Sequence, residues 1–115
     1  MIPYKTKSQE IPGTNLGETY RSAYFKKEKI FFDFFWNHLK QKSPKERFKR
    51  LKLFKSAIEV IKNSRNKPET KTNPNKKTEI FYRFAGLTKS QLFIVQIKEN
   101  KRSKNKYLMS CFSIK

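Results

Sequence analysis

Four kinds of side chain in this sequence could do chemistry on a polar substrate: a single histidine, isolated arginines, hydroxyls set among apolar residues, and a large excess of lysines. His38 is the natural proton carrier, because histidine is the side chain whose unperturbed pKa lies near neutrality. It follows Phe34 and Phe35 by one helical turn and so borders an apolar stripe. The alternative is therefore a core-edge histidine that hydrogen-bonds to a backbone carbonyl.

Arg83 and Ser110 are polar residues placed inside apolar runs. Arg83 interrupts the aromatic segment 81–84, where its guanidinium could hold a phosphate through two parallel hydrogen bonds or could simply stack on a ring at an exposed sheet face. The Ser110 hydroxyl needs a hydrogen-bond partner, which is either a substrate or the backbone. Tyr82 could stack on a base or donate a hydrogen bond, or it could pack in the core.

Acidic residues are too scattered in the sequence to hold catalytic metal ions. The nine carboxylates stand singly along the chain, whereas a pair of magnesium ions needs them clustered. One histidine and one cysteine cannot supply the four ligands of a zinc site. Cys111 lies in an apolar run and is expected to be a small buried hydrophobe. The sequence therefore predicts chemistry without a metal ion or other cofactor.

The charge balance indicates a polyanionic partner. The 28 Lys and Arg residues against 9 Asp and Glu give a formal net charge of +19 on 115 residues, and a phosphate backbone would relieve the resulting self-repulsion. Two basic stretches, residues 47–55 and 98–106, are expected to bind phosphates without reading the base sequence. The nucleic-acid-binding residues predicted from them are Arg47, Arg50, Lys101, Arg102 and Lys104.

RNA is a polyanion that these residue types could also cleave. Its 2′-hydroxyl can attack the adjacent phosphate once a protein aligns it, removes its proton and stabilises the added charge. A proton carrier, one or two cations and a hydroxyl donor are sufficient for this reaction. A module that binds RNA or DNA without cleaving it would have the same composition. A protein-interaction or lipid-surface role is a third alternative.

Two helices are predicted to position these residues. From Ser22 to Leu39, apolar residues recur at three- and four-residue steps, which is typical of a helix that buries one side. The segment Ser43-Pro44-Lys45-Glu46 predicts the start of a second helix, with a hydroxyl at the N-cap, proline in the first turn and a glutamate placed for a capping box. This helix is predicted to end at residues 63–66. Its apolar stripe is predicted to consist of Phe48, Leu51, Phe54, Ile58 and Ile61.

The C-terminal half changes to the two-residue alternation of strands. Residues 80–85, 92–97 and 107–114 are predicted strands, joined by turns at 86–90 and 100–105. The polar stretch 67–77 is predicted to be an exposed loop that could contain one short edge strand around Thr70. The predicted fold class is α+β, with two N-terminal helices packed on one face of a small antiparallel β-sheet, a three- to four-stranded meander.

The length of the chain is that of one domain. Residues 1–21 contain prolines and glycines among polar residues and are predicted to be an irregular lead-in or linker, and residues 22–115 are predicted to form a single basic α+β domain. Because no stretch approaches the roughly 18 uninterrupted apolar residues of a membrane span, a membrane is not an expected partner.

From about residue 37 onward, the layout resembles the phage and polymorphic-toxin branch of the barnase/EndoU/colicin/RelE-like nuclease superfamily. Five pieces of the sequence carry the resemblance: His38 with Ser43-Pro44, the helix break at residues 63–68, Phe81-Tyr82-Arg83-Phe84, the hydrophobic strand at residues 93–97, and Met109-Ser110-Cys111-Phe112-Ser113.

The resemblance implies metal-independent cleavage of RNA by a small toxin domain, with an acidic cognate immunity or antitoxin protein as its inhibitor. It assigns His38, Arg83 and Ser110 to the active site, with Lys106 or Tyr82 assisting. Such a toxin is expected to act in the cytoplasm and can be delivered as the C-terminal part of a larger toxin. A branch without the histidine would resemble RelE, in which basic and tyrosine side chains do the work.

Overall fold

The computed structural model describes residues 2–6, 20–89 and 91–114. Within these residues, seven strands form one mixed sheet and two helices lie between the third and fourth strands. In chain order the elements are β1 (Tyr4–Lys5), β2 (Tyr20–Ser22), β3 (Glu28–Phe31), α1 (Asp33–Lys40), α2 (Pro44–Asn63), β4 (Glu69–Thr72), β5 (Glu79–Leu87), β6 (Leu92–Asn100) and β7 (Lys106–Ser113).

The sheet is built around an antiparallel meander of β5, β6 and β7. Its strand order is β1, β5, β6, β7, β3, β2, and β4 pairs with the first half of β5. The pairs β1–β5 and β3–β7 are parallel, and the remaining pairs are antiparallel. The three predicted meander strands and the edge strand at Thr70 are confirmed. Two parts of the predicted lead-in, β1 and the start of β2, belong to the sheet, while residues 7–19 lie outside the described residues.

The predicted fold class is wrong about the helices and about the size of the sheet. The first helix begins at Asp33 and not at Ser22, because residues 20–31 form the antiparallel hairpin of β2 and β3. Its turn holds Lys26 and Lys27 at φ values of 55° and 67°, and two successive left-handed residues cannot continue a right-handed helix. Seven strands replace the predicted three or four, and the long helix lies mid-chain.

The long helix α2 begins and ends where the sequence predicts. The Ser43 hydroxyl accepts a hydrogen bond from the backbone N–H of Glu46 at 3.3 Å, which satisfies one of the free donors of the first turn. The predicted stripe is only partly correct, since Phe48 and Leu51 are 62 % and 46 % exposed. The buried residues of α2 begin at Leu53, because the N-terminal turns extend beyond the hydrophobic core.

The hydrophobic core lies between the helices and one face of the meander, which we call the core face. The core face contains buried side chains from all three meander strands: Phe84, Phe93, Val95, Ile97, Leu108 and Cys111. Cys111 is fully buried, as expected, and burial raises the pKa of its thiol to about 12. The thiol donates a hydrogen bond to the Arg50 carbonyl at 3.6 Å, so Cys111 is a packing residue and not a nucleophile.

Gly86 and Phe93 are opposite each other on β5 and β6, and their contact determines how these strands fit together. A Cβ atom on Gly86 would lie 2.3 Å from the Phe93 ring, which is much closer than any real contact. Phe93 itself is fully buried. Because Gly86 has no side chain, the Phe93 ring can pack directly over the backbone of β5.

Replacing Gly86 with alanine is expected to destabilise the fold, because the Phe93 ring is enclosed and cannot move aside. Overpacking of this kind typically lowers the free energy of unfolding by about 1–3 kcal/mol. Urea denaturation of Gly86→Ala would measure the loss. In the double variant Gly86→Ala with Phe93→Leu, the smaller side chain should make the two effects less than additive. Fully additive losses would contradict a direct contact as the cause.

Candidate functional site

The face of the meander opposite the core carries a row of polar side chains. Arg83 of β5 is opposite Gln96 of β6, and Gln96 is opposite Ser110 of β7. Residues directly opposite each other in a sheet share a face. We call this face, with Phe81, Arg83, Gln96, Lys98, Tyr107, Ser110 and Phe112, the polar face. All seven of these side chains are half-buried and therefore partly accessible to solvent.

A β-bulge in β7 places Ser110 on the polar face. The register pairs Gln96 with Ser110 but Ile97 with Leu108, so Met109 is the extra residue. Leu108 and Cys111 are three positions apart and yet both are fully buried on the core face. Strict alternation from Leu108 would have turned Ser110 into the core, and the inserted residue reverses that orientation.

One hydrogen bond joins Arg83 to Gln96, others join Ser110 and Cys111 to α2, and Gln96 and Ser110 are neighbours through the strand register. Arg83 Nε donates to Gln96 Oε1 at 2.8 Å. A terminal nitrogen of Arg50, on α2, donates to the Ser110 hydroxyl oxygen and to the Cys111 carbonyl, the latter at 3.5 Å. The same guanidinium pairs with the Glu46 carboxylate, with Nε 3.0 Å from Oε1. The row therefore contains two guanidinium groups, one hydroxyl and one carboxylate.

These groups are oriented in a way that suits a phosphate ester. Because the Ser110 oxygen accepts from Arg50, its own proton can still be donated to a ligand. Arg83 is bonded to Gln96 through Nε, which orients the plane of its guanidinium, and its terminal nitrogens can donate to phosphate oxygens. Two such cations and a hydroxyl donor are the groups that stabilise charge on a phosphorus centre.

Lys98 adds a third cation to the polar face and is held in place by Glu79. Its Nζ lies 3.2 Å from the Glu79 carboxylate and 4.2 Å from the centre of the Phe34 ring. Burial by itself would raise the pKa of Glu79, but the hydrogen bond from Asn73 and the positive charges of Lys98 and Lys76 outweigh it. The pKa of Glu79 therefore lies below its ordinary value.

His38 is exposed in the last turn of α1, which does not fit the core-edge alternative. Phe34, one helical turn earlier, packs on Tyr107 of the polar face with ring centres 4.9 Å apart. Residues four apart share one side of a helix, so His38 projects from the side of α1 that borders the polar face. His38 takes no part in the hydrogen bonds of the row.

Tyr82 and Lys106 lie on the core face, opposite Arg83 and Ser110. The Tyr82 hydroxyl donates to Glu99 at 2.8 Å, and burial, followed by the contact with Glu99, raises the pKa of Tyr82. Lys106 is 6 % exposed, with its Nζ 2.7 Å from a Glu28 oxygen and 3.6 Å from a Glu99 oxygen. Because the sheet separates the two groups, the five predicted catalytic residues do not converge on one site.

The predicted nucleic-acid-binding residues divide between two places. Arg47 and Arg50 are half-buried on the first turns of α2, and Arg50 belongs to the polar row. Lys101, Arg102 and Lys104 are exposed in the β6–β7 turn, at the other end of these strands. Asn100 organises that turn by accepting hydrogen bonds from the N–H groups of Arg102 and Ser103 at 2.9 and 3.3 Å. The turn therefore presents its cations to solvent on a defined backbone.

Three residues of the site were missed by reasoning from the sequence: Glu46, Gln96 and Phe112. Gln96 did carry a signal, because it interrupts the apolar run 92–97 as Arg83 interrupts its own strand. Glu46 was interpreted only as a helix-capping residue. Its carboxylate instead contacts Arg50, one turn further along α2.

A metal site, a membrane-spanning helix and a known relative are each without support. Among the described residues, no group of three or more His, Cys, Asp or Glu side chains could hold a metal ion. Within the same part of the chain, no helix is long and apolar enough to cross a membrane. Comparisons of the chain with protein-family models, curated proteins and solved structures found no match.

The lowered pKa of Glu79 predicts a loss of stability in acid. Its ionised form is favoured in the folded state, so the contribution is complete above the unfolded-state pKa, near the ordinary value of 4.5, and disappears as pH falls through the folded-state pKa. The free energy of unfolding of Glu79→Gln should therefore depend less on pH in this range than that of the wild type. Urea denaturation between neutral pH and pH ~3 measures the difference. Glu69→Gln, which changes an exposed carboxylate, is the matched control, and an equal change in both variants would contradict the assignment.

Proposed function

We propose that this protein is a metal-independent endoribonuclease that cleaves RNA by attack of the 2′-hydroxyl on the adjacent phosphate, as a small toxin domain of the barnase/EndoU/colicin/RelE-like type. The observation that carries the proposal is the row on the polar face, where three strands and one helix bring together Arg83, Gln96, Ser110, Arg50 and Glu46. Cations, a hydroxyl and a carboxylate are placed together on a surface that solvent reaches. The net charge of +19 supports a polyanionic substrate.

Each group has a definite part in the proposed reaction. The 2′-oxygen forms a bond to phosphorus while its proton passes to the Glu46 carboxylate, and the bond from phosphorus to the 5′-oxygen breaks. His38 is the general acid of the proposal and donates the proton that the leaving 5′-oxygen needs. Arg83, Arg50 and the Ser110 hydroxyl stabilise the charge on the non-bridging oxygens. The products are a 2′,3′-cyclic phosphate and a free 5′-hydroxyl, so atoms and charge balance without a metal ion.

The same charge distribution suggests the chemistry of an inhibitor. Arg47, Arg50 and the exposed lysines of α2 give the helix a basic surface beside the row. A protein that covers this surface with carboxylates would block the RNA phosphates by occupying the same cations. An acidic immunity or antitoxin protein, and action on cytoplasmic RNA, are the corresponding proposals for partner and place.

A non-catalytic RNA-binding module is the second candidate function. One observation favours it: the side chains of Arg83 and Ser110 already have partners within the protein, which is what a purely structural row would show. The exposed cations of the β6–β7 turn would then extend a phosphate-binding surface along the sheet.

Incubation of the purified protein with RNA in excess EDTA separates the two candidates. The ribonuclease should produce discrete fragments that end in 2′,3′-cyclic phosphate. Arg83→Ala should lower the cleavage rate by at least about 100-fold, because it removes one cation from the transition state. Glu46→Gln keeps the shape of the side chain but cannot accept a proton, and both it and His38→Ala should lower the rate by roughly 100-fold or more.

The control for these variants is Arg65→Ala, which removes an exposed arginine outside the row and should leave the rate unchanged. RNA affinity is measured in parallel at fixed salt, because phosphate contacts are salt-dependent. Glu46→Gln should keep its affinity while losing cleavage. Intact RNA that still binds tightly would reject the enzyme and favour the binding module.

A further inference from the structure

A cleft of about 380 Å³ opens between the first turns of α2 and the ends of β6 and β7. Glu46, Lys49, Arg50 and Lys52 line it from the helix, Phe112 lines it from β7, and Gln91 lines it from just before β6. Its volume lies within the range of small-molecule sites, about 300–1,000 Å³. The lining combines three cations with one aromatic ring and with the Glu46 carboxylate, which pairs with Arg50. Cations beside an aromatic ring can bind a nucleotide's phosphate and base.

The cleft is continuous with the row on the polar face. Arg50 belongs to both, since its guanidinium contacts the Ser110 hydroxyl and also lies 5.8 Å from the centre of the Phe112 ring. Ser110 and Phe112 are two positions apart on the same strand, so their side chains share a face and are separated by about 7 Å. A nucleic-acid strand with a phosphate at Ser110 would therefore bring a neighbouring nucleoside to Phe112.

We propose that this cleft is a nucleotide subsite, in which Phe112 stacks on the base next to the scissile phosphate and Lys49 and Lys52 bind the flanking phosphate. Cleavage at the adjacent phosphate rests on the proposed function, whereas the stacking of a base on Phe112 does not. A base can reach the Phe112 ring only if it is unpaired, because the ring lies between a helix and a sheet edge and not on an open surface. The subsite therefore selects single-stranded RNA over a duplex.

A binding assay on RNA that cannot be cleaved tests the subsite independently of catalysis. The probes are a short 2′-O-methyl oligouridine, the same backbone without bases, and a 2′-O-methyl duplex, each measured by fluorescence anisotropy. Phe112→Leu should weaken binding of the oligouridine about tenfold, because stacking of a base on an aromatic ring is lost. It should leave binding of the abasic strand and of the duplex unchanged. Phe112→Tyr, which keeps a ring, should bind all three probes as the wild type does.

Two further variants distinguish the loss of base stacking from the loss of a phosphate contact and from a general loss of stability. Lys52→Ala removes a phosphate contact and should weaken binding of the oligouridine and of the abasic strand by the same factor. Tyr4→Leu changes a half-buried aromatic residue on β1, at the opposite side of the sheet, and should leave binding of every probe unchanged. Thermal unfolding of each variant establishes that the measured protein is folded.

The outcomes for the subsite and for the proposed function are distinct. If Phe112→Leu has no effect on the oligouridine, or weakens the abasic strand equally, the nucleotide subsite is rejected even where RNA is cleaved. A loss confined to base-bearing single strands supports the subsite, even if the EDTA assay shows no cleavage and the enzyme proposal is rejected.

Discussion

The packing of Phe93 across Gly86 is the contact on which the rest of the structure depends. This contact aligns β5 with β6. If one of the two strands slipped by one residue along the other, its side chains would move to the opposite face of the sheet. Gly86 pairs with Phe93, and three positions further along both strands the same register pairs Arg83 with Gln96. The core on one face and the polar row on the other are thus two results of a single strand register.

The few carboxylates of this basic chain determine which cations are held in place. Glu79 holds Lys98, Glu28 and Glu99 contact Lys106, and Glu46 pairs with Arg50. Lysines buried without such partners would be costly, because desolvation disfavours their charged form. Most of the other lysines among the described residues are exposed, and their positive charge can attract a polyanion over a long range. The scarcity of carboxylates therefore has two effects: a few cations are fixed by ion pairs, and the rest of the positive charge is left uncompensated.

Much of the fold follows from local patterns, and the errors have a common physical cause. The meander and α2 were predictable, because alternation and helix caps are properties of neighbouring residues. The sequence predicts a lead-in up to residue 21 and a helix from Ser22, where the structure has the hairpin of β2 and β3. The strands of this hairpin are three and four residues long and carry little periodicity. The parallel pairs β1–β5 and β3–β7 join segments far apart in the chain, and no local pattern encodes such pairing.

The amino-acid sequence by itself determined the net charge, the scarcity of carboxylates, the three meander strands and the residue types that could act on a phosphate. Only the tertiary structure decided which of these residues meet. Tyr82 and Arg83 are neighbours in the chain, yet they point to opposite faces because strand side chains alternate. The bulge at Met109 returned Ser110 to the face of Arg83, and α2 brought Arg50 to the same hydroxyl. Side-chain direction depends on strand register and on packing between distant segments, and neither is a property of residue type.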